Sequence, residues 1–291
     1  MNLKILLTGA TGLFGSAFLS NTKKNNKITV TGISRRQSTC PVDITDGEKI
    51  IDIIKNISPY IILHTASIGN VDYCEKHKKE AWQVNVGGTR NIIKAARLSG
   101  SKLIFFSTNA VYDGEKPPFD EKAERHPIDY YGMTKEISEE DIKKSKISWV
   151  IVRLMTMYGW HDKNQRYNPV TWIIDELRKN HKMNVVDDVY NNHLYVGQAV
   201  DTVLQIIKLQ KWNEIYNVAG RDCISRYQLA LEVAEVFSLD NKLINPVKSS
   251  FFKTIAPRPK NTCFKTEKME KELKIIPLSI RDGLNLMINE K

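Results

Sequence analysis

The chain has 291 residues, 42% of them hydrophobic and 26% charged, which is the ordinary balance of a globular protein with a sizeable core. No apolar run approaches the ~20 residues that a membrane-spanning helix requires, so we expect no membrane partner. The first predicted strand begins close behind Met1, so we expect no signal peptide. We therefore expect a cytoplasmic protein of one large domain or two closely joined ones.

The formal net charge of +10 is high enough to suggest a polyanionic partner. A nucleic-acid-binding face usually shows clustered arginines in a recognisable module, whereas the lysines of this chain are spread along it. A basic surface around a polyanionic cofactor and substrate explains the charge as well, and we expect no nucleic acid partner.

The cysteines are far apart in the sequence, and no pair has the spacing of metal ligands. They are Cys40, Cys74, Cys223 and Cys263. In a reducing compartment this pattern favours free thiols over a disulfide or a zinc site. The sequence thus predicts unpaired thiols and no metal.

The first predicted strand, residues 4–7, runs into a glycine-rich turn and then into a helix. Strand, glycine turn and helix in this order form the phosphate cradle of dinucleotide-binding folds. Gly9 allows the tight turn, Gly12 lets the backbone approach a pyrophosphate, and Gly15 lets the helix pack closely on the strand. The helix N-terminus then offers free N–H groups to the phosphates. The predicted cofactor contacts of this segment are Gly9, Thr11, Gly12, Leu13, Phe14 and Gly15.

A second β-branched strand, residues 29–33, is followed by Ser34, Arg35 and Arg36. In these folds the end of the second strand meets the adenosine ribose. A carboxylate there favours a free 2′-hydroxyl, and an arginine accommodates a 2′-phosphate. Because this chain has arginines and no carboxylate at that point, the sequence favours NADP(H), with NAD(H) as the alternative.

The following elements alternate between strand and helix, which is typical of a doubly wound parallel sheet of Rossmann type, an α/β fold. They are a strand over 40–44, a helix over 47–57, a strand over 60–66, a helix over 81–98 and a strand over 102–107. Further cofactor contacts are predicted on or just after these elements, at Asp43, Ile44, Thr65, Ala66, Ser67 and Asn85.

Three residues predict the chemistry. Ligands of an open α/β sheet bind at the carboxyl ends of its strands, so Thr108 should face the cofactor crevice. Tyr131 and Lys135 lie four residues apart at the start of a helix and share one face. We expect the lysine to lower the pKa of the tyrosine, so that the phenol can protonate a carbonyl oxygen while hydride reaches the carbon. Both residues are also expected to contact the cofactor. Tyr130 is followed four residues later by Thr134 and is the weaker candidate.

The glycine turn, the strand-end threonine and Tyr-x-x-x-Lys together resemble the extended short-chain dehydrogenase/reductases. A more specific series resembles the dTDP-4-dehydrorhamnose reductases and the related regulatory β-subunits of methionine adenosyltransferase. That series comprises Val111-Tyr112-Asp113-Gly114, Pro118-Phe119-Asp120-Glu121, Tyr131-Gly132-Met133-Thr134-Lys135, Arg153-Leu154 with Tyr158-Gly159, and Arg258-Pro259-Lys260-Asn261. The resemblance spans nearly the whole chain.

The resemblance implies NADPH-dependent reduction of a nucleotide-diphospho-4-keto-6-deoxy sugar in deoxysugar precursor synthesis, with Thr108, Tyr131 and Lys135 as the catalytic set. The chain differs from the reductase pattern at 109–110, 155–157 and 192–195, where substrate is expected to bind. An epimerase on the same fold and a non-catalytic NADP-binding regulatory subunit therefore stay open. So does a homodimer.

We expect residues 1–159 to form the NADP-binding domain and residues 160–291 a smaller α/β substrate lobe, some segments of which return to the first domain. Elements of the second half are predicted at 168–179, 195–209, 215–218, 227–237, 268–273 and 280–287, after a polar loop at 160–166. Arg258, held extended between two prolines, and Asn261 are expected to hold phosphate or base. Asn109 and His193 complete the predicted substrate contacts, although His193 suits a turn-closing role equally well.

Overall fold

A parallel seven-stranded sheet forms the centre of the molecule, which a computed structural model describes over residues 2–23, 25–35 and 40–290. The strands in chain order are β1 (Leu3–Thr8), β2 (Ile28–Ser34), β3 (Cys40–Pro41), β4 (Ile61–His64), β5 (Lys102–Thr108), β6 (Trp149–Leu154), β7 (Met157–Tyr158), β8 (Met183–Val186), β9 (Tyr190–Asn191), β10 (Leu194–Tyr195), β11 (Glu214–Val218), β12 (Ile224–Ser225) and β13 (Ile244–Val247). The sheet order is β11-β6-β5-β4-β1-β2-β3. The order reverses between β1 and β4, and ligands of such sheets bind at this reversal.

Helices cover both faces of the sheet. They are α1 (Leu13–Thr22), α2 (Gly47–Ile57), α3 (Val71–Lys76), α4 (Lys78–Trp82), α5 (Thr89–Ser99), α6 (Tyr130–Lys143), α7 (Pro169–Arg178), α8 (Val196–Leu209), α9 (Arg226–Val236) and α10 (Ile280–Asn289). None of the helices in the described ranges is both long and apolar enough to cross a membrane.

The strands read as continuous apolar runs because both faces of the sheet are buried. Ile5 and Leu7 of β1 belong to one core cluster, on the side of α1 and α8, whereas Leu6 belongs to a second cluster on the side of α2 and α5. Successive side chains of a strand point to opposite faces, so this division follows directly from the pleat. The α/β architecture predicted from the sequence is confirmed.

The helix predicted over residues 81–98 is interrupted. A wide π-helical segment, Gln83–Gly88, separates α4 from α5. The Asn85 side chain is bonded to the backbone of Ile68, accepting from its N–H at 2.8 Å and donating to its C=O at 3.2 Å. An extra residue in the turn is the usual way to redirect one helical side chain, and here it turns Asn85 inward.

The second half of the chain contributes to two regions. Strand β11 extends the central sheet beside β6, and α8 packs against α1. The remaining elements form the smaller lobe, in which β8 pairs with β13, β9 with β12, and α7 packs on α9. Strands β8 and β13 were not anticipated from the sequence.

The expectation of four unpaired thiols is wrong for two of them. Cys223 and Cys263 form a disulfide, with Cα atoms 5.8 Å apart, whereas Cys40 and Cys74 are free. The cysteines are 40 residues apart in sequence. Strand β9 brings them together, because Tyr190 pairs with both Ser225 of β12 and Asn261.

A buried ion pair fixes α6 against the sheet. Arg153 of β6 donates from Nε to Oε1 of Glu139 at 3.0 Å and from Nη2 to Oε2 at 2.7 Å, and both side chains are fully buried. Arg153 also donates to the Tyr112 hydroxyl, and Ser107 of β5 donates to Glu139. Burial alone would raise the pKa of Glu139, but the bonds and charge of Arg153 outweigh it and lower the pKa.

We expect Glu139→Gln to destabilise the protein by about 3–5 kcal/mol, because removing one partner leaves a buried charge uncompensated. Asp141→Asn on the same helix is the matched control, since its partner Arg90 is half-exposed and the pair lies at the surface. That change should cost less than about 1 kcal/mol. Urea unfolding of both variants measures the two free energies, and equal losses would contradict the role given to the buried pair.

Candidate functional site

The glycine turn after β1 has the backbone of a phosphate cradle. Gly9 adopts φ +72°, and a Cβ there would lie 2.6 Å from Thr65 Oγ1. A Cβ at Gly15 would lie 2.7 Å from the Ala10 carbonyl oxygen. Gly12 caps α1 without a side-chain hydrogen bond, so the first N–H groups of that helix stay open to a ligand. The turn therefore fits a dinucleotide pyrophosphate.

The end of β4 is tied to this turn by hydrogen bonds. Thr8 Oγ1 accepts from the backbone N–H groups of Thr65 and Ala66, both at 3.1 Å, and Thr65 Oγ1 donates to the Thr8 carbonyl at 2.6 Å. These bonds hold the carboxyl ends of β1 and β4 at a fixed separation. The crevice between the two strands is thus already formed.

A cavity of about 700 Å³ lies along these strand ends. Most of the predicted cofactor contacts line it, namely Gly9, Thr11, Gly12, Leu13, Phe14, Gly15, Ser34, Arg35, Asp43, Ile44, Thr65, Ala66 and Ser67. Arg36 lies outside the described residues. The elongated set of residues runs from the pyrophosphate turn to Arg35, where the 2′-position of an adenosine ribose is expected.

Asn85 does not line this cavity. Its side chain is 1% exposed and bonds to the Ile68 backbone and to Thr134 Oγ1, the latter at 3.1 Å. Because Ile68 and its neighbours Ser67 and Gly69 do line the cavity, Asn85 shapes the wall instead of touching a ligand.

A second cavity, of about 420 Å³, adjoins the first and contains Thr108, Asn109 and Tyr131. Leu13, Thr65, Ser67, Gly69, Phe106, Met157 and Arg166 line both cavities. The Tyr131 hydroxyl lies 4.0 Å from the position that a Cβ on Gly69 would take. The hydroxyls predicted to act in catalysis therefore face the place where the two cavities meet.

Local packing fixes the direction of Tyr131. Asp129 caps α6 by accepting from Gly132 N–H at 2.8 Å. Gly132 has no room for a side chain, because a Cβ would collide with the Ala110 carbonyl and lie 2.9 Å from Pro127 Cβ. The first turn of α6 thus packs directly on the turn that follows Thr108.

Burial controls the titration of both members of the Tyr-x-x-x-Lys pair. It raises the pKa of Tyr131 to about 12, an effect that the hydroxyls of Thr108 and Ser67 only partly oppose. Burial likewise lowers the pKa of Lys135 to about 7, against the favourable charge of Glu139. Lys135 Nζ lies 3.9 Å from the centre of the Phe105 ring. The expectation that the pKa of Tyr131 is lowered is wrong, because burial raises it and the bonds from the two hydroxyls do not reverse that effect.

The predicted substrate contacts divide into two groups. Asn109 lines the second cavity and donates to Thr262 Oγ1 at 2.7 Å. Arg258 also lines it, and its guanidinium is held by Asp72 of α3 in two bonds of 3.0 and 2.7 Å. Asn261 and His193 are absent from the lining among the described residues. Asn261 instead accepts from Cys263 N–H at 3.0 Å.

His193 is 2% exposed and uncharged, since burial and then the Arg226 charge lower its pKa to about 3. A Cβ on Gly220 would collide with the His193 carbonyl. The residue belongs to the packing of the turn between β9 and β10, the alternative that the sequence left open.

Several lining residues gave no signal in the sequence. The polar loop after Gly159 rests on the glycine turn, because Gln165 Nε2 donates to the Thr11 carbonyl at 3.0 Å and to Ser16 Oγ at 2.9 Å. This brings Arg166 to the boundary of the two cavities. Arg226, Asn191 and Thr262 line the second cavity as well. Long-range packing brings all of them there.

Known proteins share this architecture over their whole length. The dTDP-4-dehydrorhamnose reductase of Bacillus anthracis, whose structure is a complex with NADP, superposes with a TM-score of 0.92 at 25% identity, covering 100% of both chains. The dTDP-4-dehydrorhamnose reductase of Aggregatibacter actinomycetemcomitans is 26% identical over 285 residues, 94% of each chain. The methionine adenosyltransferase 2 subunit beta of Mus musculus is 27% identical over 274 residues, 92% of this chain and 81% of the relative.

The family model described as the RmlD substrate binding domain matches residues 3–291, which include the glycine turn, Thr108, Tyr131 and Lys135. The chain belongs to the RmlD substrate binding domain family.

Proposed function

We propose that this protein is an NADP(H)-dependent reductase of a nucleotide-diphosphate-linked 4-keto-6-deoxy sugar, with dTDP-4-dehydrorhamnose as the first candidate. The observation that carries the proposal is the placement of Thr108 and Tyr131 beside Ser67 and Gly69, which also line the cofactor cavity. A carbonyl held by these hydroxyls is within reach of a nicotinamide in the first cavity. The membership of the family and its NADP-bound relative support the same reading.

NADP(H) fits the first cavity better than NAD(H). Arg35 is exposed at the end of β2, on the lining, where it can pair with a 2′-phosphate. Asp43 lies nearby, but its Oδ1 already accepts from Thr45 N–H and Oγ1, both at 2.9 Å. The Arg35 guanidinium is thus more available to a ligand than the Asp43 carboxylate.

The bound dinucleotide supplies the hydride, and the chain supplies the proton. Tyr131 donates its phenolic proton to the C4 oxygen, while the Thr108 hydroxyl orients that oxygen. Both residues lie at the carboxyl ends of the strands, on elements whose packing is fixed by Gly132 and Asp129. A charged Lys135 stabilises the phenolate that remains.

The raised pKa of Tyr131 suits the proton donor of a reductase. An epimerase of this type must first take a proton from a sugar hydroxyl, and a phenol with a pKa of about 12 is a poor base at neutral pH. As an acid it is already in the protonated form that a reductase requires. A purely regulatory role, the other alternative that the sequence left open, does not need the hydroxyls of Thr108 and Tyr131 to line one cavity.

The decisive assay mixes the protein with NADPH and freshly prepared dTDP-4-dehydrorhamnose and identifies the product by mass. We expect a gain of two hydrogens with equal loss of NADPH, and slower turnover with NADH. An isomer of unchanged mass would indicate the epimerase. If neither a reduced product nor an isomer forms, the regulatory role is the remaining alternative.

Tyr131→Phe should lower kcat by about two to four orders of magnitude, because the ring is kept and the proton is lost. Its affinity for NADPH should barely change. Tyr130→Phe, which alters the neighbouring ring on the same helix, is the control and should stay active. Stopped-flow hydride transfer with both variants provides the measurement, and similar rates for the two would contradict the assignment.

The rate should also fall as pH rises through about 7. With a pKa lowered to about 7, Lys135 is charged at pH 6 and largely neutral at pH 8, whereas Tyr131 stays protonated across this range. A basic limb in kcat/KM near pH 7 would therefore report Lys135. Lys135→Arg keeps the charge and should remove the limb, even if it lowers the rate. A parent profile that is flat from pH 6 to 9 would refute this assignment.

A further inference from the structure

Arg226 presents an uncompensated positive charge to the second cavity. It is the first residue of α9, whose capping box, formed by Ser225 and Gln228, holds the helix start in place. Its backbone N–H donates to the Val189 carbonyl at 3.2 Å. Its guanidinium lines the cavity and, within the described part of the chain, has neither a hydrogen bond nor an ion pair. The backbone is therefore fixed while the charged group is available.

The other charges on the lining do not neutralise Arg226. Arg166, Arg226 and Arg258 line the cavity, and Asp129 is the only carboxylate among its described lining residues. Asp129 accepts from Gly132 N–H at the start of α6, and Asp72 is engaged by Arg258. Arg258 is thus paired, whereas Arg166 and Arg226 have no ion pair among the described residues. Arg166 lies at the boundary with the first cavity, and Arg226 lines the second cavity alone. Burial and then the like charge of Arg258 lower the pKa of Arg226, although part of its side chain is exposed to solvent.

Arg258 and Arg226 are not equivalent as anion ligands. To bind phosphate fully, Arg258 must share or give up its two bonds to Asp72. Arg226 gives up only water. A guanidinium binds phosphate oxygens with two parallel N–H bonds, a geometry that an ammonium group does not reproduce. The first phosphate contact should therefore fall on Arg226.

We propose that Arg226 is a specificity-determining residue that binds the diphosphate of the substrate, while Arg258 remains tied to Asp72. This inference rests on the proposed function, since it assigns the polyanionic arm of the same nucleotide sugar. Thr108 and Tyr131 lie on β5 and α6, and Arg226 lies on the smaller lobe, yet all line one cavity. A substrate whose keto group lies at Thr108 and Tyr131 therefore has its diphosphate directed to Arg226.

The test uses binding without turnover. Calorimetry with the full chain saturated with NADP⁺ measures the affinities of dTDP, dTMP and inorganic phosphate. We compare the parent, Arg226→Gln, Arg226→Lys and Arg258→Gln. Arg221→Gln is the matched control, because this exposed arginine lies five residues earlier, pairs with Asp282 and is not on the cavity lining. Thermal unfolding of each variant checks that the fold is kept.

We expect Arg226→Gln to weaken dTDP binding about tenfold or more, as the loss of a charge-assisted bond implies, with a smaller loss for dTMP. Arg226→Lys should recover only part of the affinity, and Arg221→Gln should match the parent. In turnover, Arg226→Gln should raise KM for the keto sugar and leave kcat nearly unchanged.

Unaltered dTDP affinity in Arg226→Gln, or a loss confined to Arg258→Gln, would overturn the inference. An equal loss for dTDP and inorganic phosphate would also overturn it, since the site would then bind anions without reading the diphosphate. Failure of the proposed function is a separate result. A protein that reduces no keto sugar but loses dTDP affinity in Arg226→Gln keeps the binding site and loses the reaction.

Discussion

The buried pair of Arg153 and Glu139 holds together the elements that carry the predicted catalytic residues. A carboxylate and a guanidinium inside a protein carry a large desolvation penalty, which is offset only when nearly all of their hydrogen-bonding groups are satisfied. Here Ser107, Tyr112 and Arg125 complete the set. These partners join β5, β6 and α6, the elements that carry Thr108, Tyr131 and Lys135. The polar network therefore fixes a helix on a sheet whose other contacts are apolar and less directional.

The same pair acts on the chemistry through Lys135. Glu139 lies one turn further along α6, and its charge raises the pKa of Lys135, although burial prevails and the pKa settles at about 7. Without the Glu139 carboxylate, the pKa of the buried Lys135 amine would be lower still. Structural stability and the protonation state of the site thus depend on one side chain.

Features that local chemistry determines could be predicted from the sequence, whereas features that depend on contacts between distant residues could not. The strand, glycine turn and helix of residues 3–22 were predictable because each glycine answers a steric demand within the motif itself. The wide turn at Asn85 was not, because the cause is the backbone of Ile68, far from the helix in sequence. The disulfide between Cys223 and Cys263 was missed for the same reason, since strand β9 mediates their approach. The predicted direction of the pKa shift of Tyr131 was wrong, because a spacing of four residues indicates a neighbouring charge but does not indicate how deeply the phenol is buried.

The charges of the site are arranged by what each group can do when water is excluded. Burial raises the pKa of Tyr131 to about 12 and lowers the pKa of Lys135 to about 7. Burial disfavours the charged form of each group, so Tyr131 keeps its proton at neutral pH and about half of Lys135 keeps its charge at pH 7. The same cavity is lined by the guanidinium groups of Arg166, Arg226 and Arg258, which keep their charge under all ordinary conditions. The guanidinium groups can thus hold a polyanion through a permanent charge, while Tyr131 and Lys135 are groups whose charge can change.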